Sequence, residues 1–416
     1  MVQTLFYMHV KCRFCSHPLK HTFCDFGQTP LSNAYVKGGD LLSEEPRFPL
    51  HAYVCETCLL VQLQEFQSPD QIFSEYLYFS SYSTSWLAHA KKYVEGMVER
   101  FSYDPSYQVV EIASNDGYLL QYFQKKNIPV LGIDPARNVA DVANAKGIPT
   151  LPLFFGARTA LDLAGQGKKG DLIIGNNVLA HVPDINDFVK GLKILLKPEG
   201  IITLEFPHLL QLMEQNQFDT LYHEHFSYLS LYTTEKIFAA HGLKLFDVEE
   251  LTTHGGSLRV YACHIESKRN RSSKVEDVLH KEVAYGLTNI TTYLSFADKA
   301  KKIKSDLCYL LISLKGQGKK VVGYGAPAKG NTLLNFCNIT AELLEYTVDI
   351  NPHKQGLFLP GTHIPIYPPE KIKETKPDYI IILPWNLQEE IQSQMSFVRQ
   401  WGCRWILPMP HVTILP

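Results

Sequence analysis

The spacing of hydrophobic and polar positions changes several times along the chain. Residues 1–70 lack helical periodicity and are broken by Pro and Gly, and 71–107 pass from a Tyr- and Ser-rich stretch into a helix-like segment. Residues 108–265 alternate short β-branched runs with amphipathic stretches, the pattern of a parallel sheet with crossover helices. Residues 266–315 carry apolar side chains at helical spacing, and 320–416 alternate again.

These patterns predict an α/β protein of three consecutive domains, because 416 residues exceed what one ordinary core organises. Residues 1–70 form a small N-terminal lobe. Residues 71–265 form a central Rossmann-like domain with a helical lead-in. Residues 266–416 form a helical bridge, read as one long helix or a helix pair, and a second, smaller Rossmann-like α/β domain.

Composition and charge exclude several function classes. The formal net charge is −2, so no overall positive field attracts nucleic acid, and an anionic substrate needs a local site. No apolar run reaches the ~18–20 residues of a membrane span, and the N-terminal residues do not resemble a signal peptide. We therefore expect no membrane or nucleic-acid partner, a cytoplasmic location and a monomer.

Two cysteine pairs suggest a metal site in the N-terminal lobe. They are Cys12-x-x-Cys15 and Cys55-x-x-Cys58, and each short turn lets both sulfurs face one ion at ~2.3 Å. We predict structural zinc, which helps this lobe to fold and leaves no open coordination position for chemistry. His21 and Cys24 lie between the pairs and are alternative ligands; the other reading is a set of unrelated buried thiols.

A strand, a polar turn and a helix begin the central domain. Residues 109–112 are the strand, the turn contains Asn115 and Gly117, and the next strand ends at Asp134, 17 residues after Gly117. A carboxylate at that position can accept both hydroxyls of a ribose. The turn has one glycine and no G-x-G-x-x-G, so it lacks the usual cradle for the pyrophosphate of NAD.

Glu111, the one-glycine turn, Asp134 and the segment NNVLAHVPD at 176–184 together resemble the class I S-adenosylmethionine-dependent methyltransferases. This resemblance makes 71–265 the domain that binds S-adenosylmethionine. By the same resemblance, the methionine part is lined by Glu111, Asn115 and Gly117, and the ribose is bound by Asp134. Leu153 and Phe154 flank the adenine, and Asn176 completes the predicted cofactor site.

The densest group of reactive side chains is Tyr222-His-Glu-His, residues 222–225. These side chains cannot share one face of a helix or strand, so we expect a turn that presents several of them to a cleft. A catalytic metal is disfavoured because the H-E-x-x-H spacing of helical zinc sites is absent.

An ordered series of motifs reaches from the cysteine pairs to the tail: SYSTSWLAHA, NDGYLL, NNVLAHVPD, LYHEHFSYLSL, HGGSLR and GYGAPAKGNTLLN. Over essentially the whole chain the series resembles the nucleotide-sugar C-methyltransferases, zinc-containing enzymes of deoxysugar biosynthesis such as the sugar C-3 methyltransferase of kijanose formation. The resemblance implies methylation of a nucleotide-diphosphate (TDP-linked) 4-keto deoxysugar at C-3.

A carbon becomes nucleophilic once a neighbouring carbonyl acidifies its C–H, so such an enzyme needs a base and an enolate stabiliser. His225 is the candidate base, since imidazole titrates near neutrality. Tyr222 and Tyr76 are candidates to hydrogen-bond the enolate oxygen, with Tyr78, Ser81 and Tyr82 as alternatives to Tyr76. Glu224 either holds the tautomer of the base or grips the sugar.

Further substrate contacts are expected around the sugar and the diphosphate. Asn177 and His181 are predicted to position the sugar, and Lys329, His254 and Arg259 are candidates for the diphosphate. The turn that carries Lys329, GYGAPAKG, departs from the dinucleotide fingerprint, which disfavours NAD(P). Its glycines alternatively serve only to permit a tight turn.

Two other functions fit parts of the chain. An O- or N-methyltransferase would use the same cofactor domain without a carbon acid. A non-catalytic zinc-ribbon protein is disfavoured, because basic and aromatic residues are not concentrated around the cysteines and the 222–225 cluster stays unexplained.

Overall fold

The computed structural model describes residues 10–68 and 79–416. In chain order, the strands are β1 (His21–Thr29), β2 (Phe48–Val54), β3 (Val61–Leu63), β4 (Val109–Ile112), β5 (Val130–Ile133), β6 (Thr150–Leu151), β7 (Gly170–Asn176), β8 (Leu196–Pro207), β9 (Ser227–Tyr228), β10 (Leu243–Leu251), β11 (Ser257–His264), β12 (Val321–Tyr324), β13 (Thr347–Val348), β14 (Ile366–Tyr367), β15 (Tyr379–Ile382), β16 (Arg404–Leu407) and β17 (Thr413–Leu415).

The α-helices, in the same order, are α1 (Thr84–Phe101), α2 (Leu120–Gln124), α3 (Arg137–Ala145), α4 (Ala157–Gly165), α5 (Ile185–Leu195), α6 (Leu209–Glu214), α7 (Leu231–Ala240), α8 (Ser273–Tyr285), α9 (Ile290–Leu294), α10 (Phe296–Gly316), α11 (Ala328–Cys337), α12 (Lys371–Thr375) and α13 (Gln388–Gln394). None of these described helices combines the length and the apolar character that crossing a bilayer requires.

The chain divides into two compact, discontinuous units. Unit 1 comprises residues 1–19, 55–208 and 226–288, and unit 2 comprises 20–54, 209–225 and 289–416. The division therefore passes through the expected N-terminal lobe and through the expected helical bridge. The scheme of three consecutive domains with boundaries at 70 and 265 stays a prediction.

Unit 1 is built on a seven-stranded sheet with the order β6-β5-β4-β7-β8-β11-β10. The strands from β6 to β8 are parallel, and β11 is antiparallel to both of its neighbours. Apolar side chains of β4 pack on both faces of the sheet, Val109 on one and Val110 on the other, as a buried parallel strand requires. The strand order reverses between β4 and β7, and ligands of open α/β sheets bind at the carboxyl ends beside such a reversal.

Unit 2 contains a second open sheet with the order β14-β13-β12-β15-β16-β17, parallel except for β17. Its core includes fully buried Trp405, Ile380 and Ile382. β1 and β2 form an antiparallel pair in the same unit. The predicted α/β class is therefore confirmed, with one open, mostly parallel sheet in each unit.

The segment predicted as one long helix or a helix pair contains three helices, α8, α9 and α10. α8 is capped by Ser272, whose hydroxyl accepts from the amide of Lys274, and it ends at Gly286, where φ is +98°. Asn289 caps α9 by accepting from the amide of Thr291. The left-handed Gly286 and the new cap separate α8, which belongs to unit 1, from α9 and α10, which belong to unit 2.

Candidate active site

The two cysteine pairs of unit 1 converge on one point. The Sγ atoms of all four lie within 4.8 Å of one another, with 3.5 Å between Cys12 and Cys58 and 3.5 Å between Cys15 and Cys55. Each pair is followed by a residue with positive φ, Ser16 at 61° and Leu59 at 64°. Four thiolates at ~2.3 Å from one tetrahedral ion lie about 3.8 Å apart, so this donor set fits zinc.

Hydrogen bonds join the cysteine turns to the rest of unit 1. The Gln62 amide donates to the Cys12 sulfur at 3.2 Å, and the Thr233 hydroxyl of α7 donates to the carbonyl of Cys58 at 3.2 Å. The Asn186 amide of α5 donates to the carbonyls of Arg13 and Phe14. His21 and Cys24, the alternative ligands, lie on β1 of unit 2 and do not belong to this group.

Asp134 follows β5 at the carboxyl edge of the unit 1 sheet. Its side chain is 6% exposed; one oxygen accepts the amide of Ala136 and the other accepts the amide of Asn115, both at 2.9 Å. Burial raises the pKa of this carboxyl to about 6, against the effect of the two amides. The side chain is thus fixed in place, and a carboxylate keeps lone pairs for further donors such as ribose hydroxyls.

The turn after β4 is tightly folded. Ala113, Asn115 and Gly117 all have positive φ, and a Cβ on Gly117 would lie 2.5 Å from Cδ1 of Ile148. Position 117 therefore needs glycine for both its conformation and its close approach. The Asn115 side chain accepts the amide of Ser80 at 2.9 Å, which attaches the segment before α1 to this turn.

Glu111 is fully buried, and neither of its carboxylate oxygens meets the geometry of a hydrogen bond to a described residue. Burial raises its pKa well above the usual value, against the neighbouring Tyr118 hydroxyl. That hydroxyl also accepts from the amide of Asn176 at 3.3 Å. A buried carboxyl in this state fits a cationic partner such as the ammonium of a bound methionine moiety.

Leu153 and Phe154 follow β6 and are 43% and 41% exposed. Two adjacent large apolar side chains at this edge of the sheet provide a surface that a flat, apolar ring can cover. The other residues proposed for the cofactor lie near the carboxyl ends of neighbouring strands. Gly117 is in the turn after β4, Asp134 directly follows β5, and Asn176 is the last residue of β7. The residues of unit 1 therefore fit the parts of S-adenosylmethionine.

A second polar cluster lies at the carboxyl ends of β7 and β10. The Asn177 amide is 3.2 Å from Nε2 of His254, and the His254 ring lies 5.5 Å from the Trp86 ring. His181 lies in the short 3-10 turn that follows, residues 179–181. The indole of Trp86, which sequence reasoning missed, also stacks on Tyr118 with a centroid distance of 6.0 Å.

Arg259, a candidate for the diphosphate, is bound to carboxylates of its own unit. Its guanidinium donates to Glu205 and to Glu249, both at 2.8 Å, and lies 4.6 Å from the ring of Tyr93. Glu205 also pairs with His89 at 2.9 Å. Because two carboxylates already neutralise it, this arrangement does not favour Arg259 as the ligand of an anion.

The Tyr222–His225 cluster forms a turn in unit 2, as expected. The Tyr222 hydroxyl lies 2.8 Å from Nε2 of His225, and Nδ1 of His225 lies 3.1 Å from the carbonyl oxygen of Thr220. Both histidine nitrogens are therefore engaged, one by a side chain and one by the backbone. A backbone carbonyl leaves no side-chain signal in the sequence, which is why the contribution of Thr220 was missed.

Glu224 accepts a hydrogen bond from the amide of Asn33 at 2.6 Å. Burial raises the pKa of Glu224, against the effect of this hydrogen bond. Because the carbonyl of Thr220 fixes the tautomer of His225, the expectation that Glu224 holds that tautomer is wrong. Its carboxyl is suited instead to hydrogen-bond a polar ligand.

Lys329 lies in the first turn of α11 and is half-buried. Its ammonium donates to Oδ1 of Asn386 at 2.7 Å and lies 4.5 Å from the centre of the Trp385 ring, whose N–H donates to Asp219 at 2.7 Å. Burial lowers the pKa of Lys329, against the charge of Asp219, and burial raises the pKa of Asp219 to about 6. The Thr332 hydroxyl of α11 donates to the carbonyl of Leu221, so α11 is fixed to the 222–225 turn.

The remaining candidates come from the tyrosine- and serine-rich stretch that precedes α1 in the sequence. Tyr76 and Tyr78 lie outside the described residues. Tyr82 is 73% exposed, and the Ser81 hydroxyl donates to the carboxylate of Asp116.

Three family models match the chain. Residues 12–73 match one described as "Putative zinc binding domain", residues 86–248 match "Methyltransferase domain", and residues 252–410 match "C-methyltransferase C-terminal domain". The chain is 36% identical over 405 residues to C-methyltransferase NovU of Streptomyces niveus, across 97% of this chain and 96% of that protein.

Two further likenesses are shorter. A ubiquinone biosynthesis O-methyltransferase of Bartonella tribocorum is 30% identical over 96 residues, 23% of this chain and 39% of that protein. A solved structure of magnesium protoporphyrin IX methyltransferase from Synechocystis PCC 6803 with bound S-adenosylmethionine has a TM-score of 0.33 and 16% identity. It covers 43% of this chain and 79% of that one.

The methyltransferase domain, the unit 1 sheet and the near-full-length relative identify an S-adenosylmethionine-dependent methyltransferase with a zinc-binding N-terminal region. More specifically, the chain belongs to the C-methyltransferase family that includes NovU, because the 36% identity extends over nearly all of both chains.

Proposed function

We propose that this enzyme methylates C-3 of a TDP-linked 4-keto deoxysugar, with His225 as the base that removes the C-3 proton. The observation that carries the proposal is the hydrogen-bonded series Tyr222–His225–Thr220 in unit 2 of a C-methyltransferase. Carbon methylation needs a base to form the nucleophile, whereas methylation of a hydroxyl does not need an enolate. We expect the enzyme to act in the cytoplasm as a monomer.

The partners of His225 define its protonation. A carbonyl oxygen can only accept, so Nδ1 carries the hydrogen that is donated to Thr220. Nε2 then holds the lone pair, and the Tyr222 hydroxyl donates to it at 2.8 Å. Nε2 is thus the basic atom, and its position is fixed by the backbone carbonyl on the other side of the ring.

The hydrogen bond between Tyr222 and His225 supports both proposed roles, His225 as the base and Tyr222 as the residue that stabilises the enolate. The proton of the Tyr222 hydroxyl occupies the direction from which Nε2 would accept the C-3 proton of the sugar. Because Nε2 has one lone pair, the Tyr222 hydroxyl has to turn away from it before the proton is transferred. When Nε2 takes the C-3 proton, the C–H electrons move into the C-3–C-4 bond and the keto oxygen becomes an enolate, to which the released Tyr222 hydroxyl can donate.

S-adenosylmethionine supplies an electrophilic methyl group on a sulfonium, and the enolate carbon is the nucleophile that receives it. Glu111, Asn115 and Gly117 are proposed to line the methionine part, Asp134 to bind the ribose, and Leu153 and Phe154 to flank the adenine. Asn176 supports this site through Tyr118. These assignments rest on the buried carboxyls and the tight turn of unit 1.

On the substrate side, Glu224 and Lys329 of unit 2 are the proposed contacts. A carboxyl whose pKa is raised by burial can hydrogen-bond a sugar hydroxyl in either direction. Lys329 lies on an aromatic face beside a buried carboxyl, and a diphosphate would stabilise its charged form. Asn177 and His181 remain proposed to position the sugar, His254 to contact the diphosphate, and Tyr76 to hydrogen-bond the enolate oxygen.

Solvent deuterium exchange at the carbon beside the ketone tests the proposal directly. The protein is incubated in D2O with S-adenosylhomocysteine and members of a panel of nucleotide 4-keto sugars, and exchange is followed by NMR. We expect exchange at C-3 with the wild type, loss of at least two orders of magnitude in His225→Ala, and partial loss in Tyr222→Phe. His353→Ala, which alters an exposed histidine of unit 2, is the matched control.

The methylated product separates the competing functions. With S-adenosylmethionine present, a 14-dalton gain and a new C–CH3 carbon signal are expected on the keto sugar. A methyl ether or N-methyl product, or undiminished methyl transfer by His225→Ala, contradicts the assignment of a carbon acid and its base.

A further inference from the structure

Two thiols of unit 2 meet where α10 packs on α11. Cys308 lies in the middle of α10, and Cys337 is the last residue of α11. The Cys308 sulfur donates to the carbonyl oxygen of Cys337 at 3.3 Å, and the two thiols lie close enough for each to shift the pKa of the other. Cys308 is half-buried and reachable from solvent, whereas Cys337 is 3% exposed behind it.

The surroundings of Cys308 favour its thiolate. The hydrogen bond from Cys337 lowers the pKa of Cys308 to about 7 against the effect of burial, and the ammonium of Lys304, one helical turn earlier, acts in the same direction. By contrast, burial raises the pKa of Cys24 and of Cys403, two thiols outside the zinc site, to about 12. The thiolate is the nucleophilic form, so Cys308 differs from these in reactivity.

We propose that Cys308 and Cys337 form a dithiol that peroxides oxidise to a disulfide, with Cys308 as the attacking thiol and Cys337 as the resolving one. Neither residue belongs to the proposed catalytic or cofactor groups, so the proposal does not depend on the proposed function. It assigns a modification site to the junction of α10 and α11.

The two steps balance in atoms and electrons. The Cys308 thiolate attacks one oxygen of hydrogen peroxide, the O–O bond breaks, and the departing hydroxide takes a proton to become water; Cys308 is then a sulfenic acid. The Cys337 sulfur attacks the Cys308 sulfur, the S–O bond breaks, and the hydroxide leaves as water with the proton of Cys337. Two thiols are oxidised by two electrons, and the peroxide is reduced to two waters.

The environment of Cys337 suits the second step. Its pKa is raised well above the usual value by the hydrogen bond with Cys308, by burial and by the charge of Cys308. Oxidation of Cys308 removes that charge and that hydrogen bond, which releases Cys337 to attack. The Cys308 sulfur already lies 3.3 Å from the Cys337 carbonyl oxygen, so the attacking thiol is directly beside the residue that resolves it.

The experiment uses the zinc-loaded full chain, treated with hydrogen peroxide at pH 7 and digested for mass spectrometry. We expect a cross-linked peptide pair containing Cys308 and Cys337, two mass units below the sum of the reduced peptides. In Cys337→Ser, dimedone should trap a sulfenic acid at Cys308. In Cys308→Ser, Cys337 should stay reduced. Alkylation of wild-type Cys308 by N-ethylmaleimide should be at least tenfold faster than that of Cys24 and Cys403.

Any of three results overturns the proposal. The first is a peroxide-treated chain without the Cys308–Cys337 peptide. The second is oxidation of Cys337 in Cys308→Ser at the wild-type rate. The third is alkylation of Cys308 no faster than of Cys403. A chromogenic zinc chelator followed in parallel reports whether the zinc cysteines react first, which would also contradict the preference for Cys308. Thermal unfolding of both variants under reducing conditions checks that each is folded.

Discussion

The carboxyl of Asp134 is fixed in position because its oxygens accept two backbone amides. It is also a weaker acid than an ordinary aspartate, because burial raises its pKa to about 6. The ionised carboxylate accepts hydroxyl donors better than the protonated acid does. We therefore predict that S-adenosylmethionine binds more weakly as the pH falls through 6. The ionised fraction alone gives a roughly fourfold loss of affinity between pH 7.5 and pH 5.5.

The variant Asp134→Asn separates this effect from general changes in the protein. It removes the charge but keeps the size, so we predict a roughly 10- to 100-fold loss of affinity at pH 7.5, the scale of a charged hydrogen bond. The dependence on Asp134 ionisation should also disappear. Calorimetric titration from pH 5.5 to 8 measures both, with Asp141→Asn on the exposed face of α3 as the control. An unchanged pH dependence in Asp134→Asn contradicts the role.

At the residue scale, the sequence identifies candidate site residues more readily than the groups to which they hydrogen-bond. Asp134 follows a β-branched run, so its place at a strand end is predictable from local pattern. The partners of His225 and Glu224 are a backbone carbonyl, Thr220, and a distant amide, Asn33, which is 191 residues from Glu224. Neither has a spacing or a composition signal, so the role given to Glu224 was partly wrong.

Among the elements, α7 depends on a buried carboxylate from another helix. Glu282 of α8 is fully buried; it accepts the amides of Leu231 and Tyr232 at the start of α7 and pairs with His208 at 2.7 Å. A carboxylate at a helix N-terminus satisfies amides that have no partner within the helix and interacts favourably with the helix dipole. Glu282 therefore fixes the beginning of α7 and the residue that follows β8.

We predict that Glu282→Ala lowers the stability of the folded chain by about 3–5 kcal/mol, because it leaves His208 and two amides buried without their acceptor. Glu282→Gln keeps an acceptor oxygen and should cost less. Glu250→Ala removes the exposed partner of Lys281 and should cost under about 1 kcal/mol. Shifts in thermal midpoint rank the three variants. Equal shifts for Glu282→Ala and Glu250→Ala contradict the assigned role.

Strands with uniform patterns are predicted well, and those with interruptions are not. β4 runs from Val109 to Ile112, as the sequence predicts, whereas β8 begins at Leu196, five residues before the apolar run that starts at Ile201. The intervening residues include Pro198 and Gly200, which normally end a strand. The pairing of β7 with β8 is irregular here, passing from Gly170–Leu196 to Leu172–Ile201, so these residues need not donate to a regular ladder.

For the whole molecule, the local pattern of apolar residues and cysteines predicts the two open α/β sheets and the zinc-binding region, because each is formed largely by residues that are near in sequence. This pattern does not predict which segments of the chain make up each compact unit. Residues 20–54 and 209–225 belong with 289–416, although they lie far away in sequence. Contacts between such distant segments follow from packing of finished elements, about which periodicity contains no information.

The zinc site allows a prediction for the molecule as a whole. Its four cysteines belong to unit 1, and Gln62, Thr233 and Asn186 join their turns to strands and helices of that unit. Without the ion, four sulfurs, three of them buried, lose their common partner, and residues 10–19 and 55–63 lose the cross-link that fixes them. Zinc sites of this type stabilise folds by several kcal/mol.

We therefore predict one zinc ion per chain by elemental analysis and a fall in the thermal midpoint of about 8–16 °C in Cys58→Ser, as a loss of about 4 kcal/mol implies. Hydrogen exchange should increase first in 10–19 and 55–63, and later in β4 to β6. The control is Cys308→Ser, which replaces a half-buried thiol outside the zinc site. It should leave the zinc content and the thermal midpoint unchanged. If zinc-free protein unfolds at the temperature of the zinc-loaded form, the ion does not stabilise unit 1, and the four cysteines are held together by the packing of the fold alone.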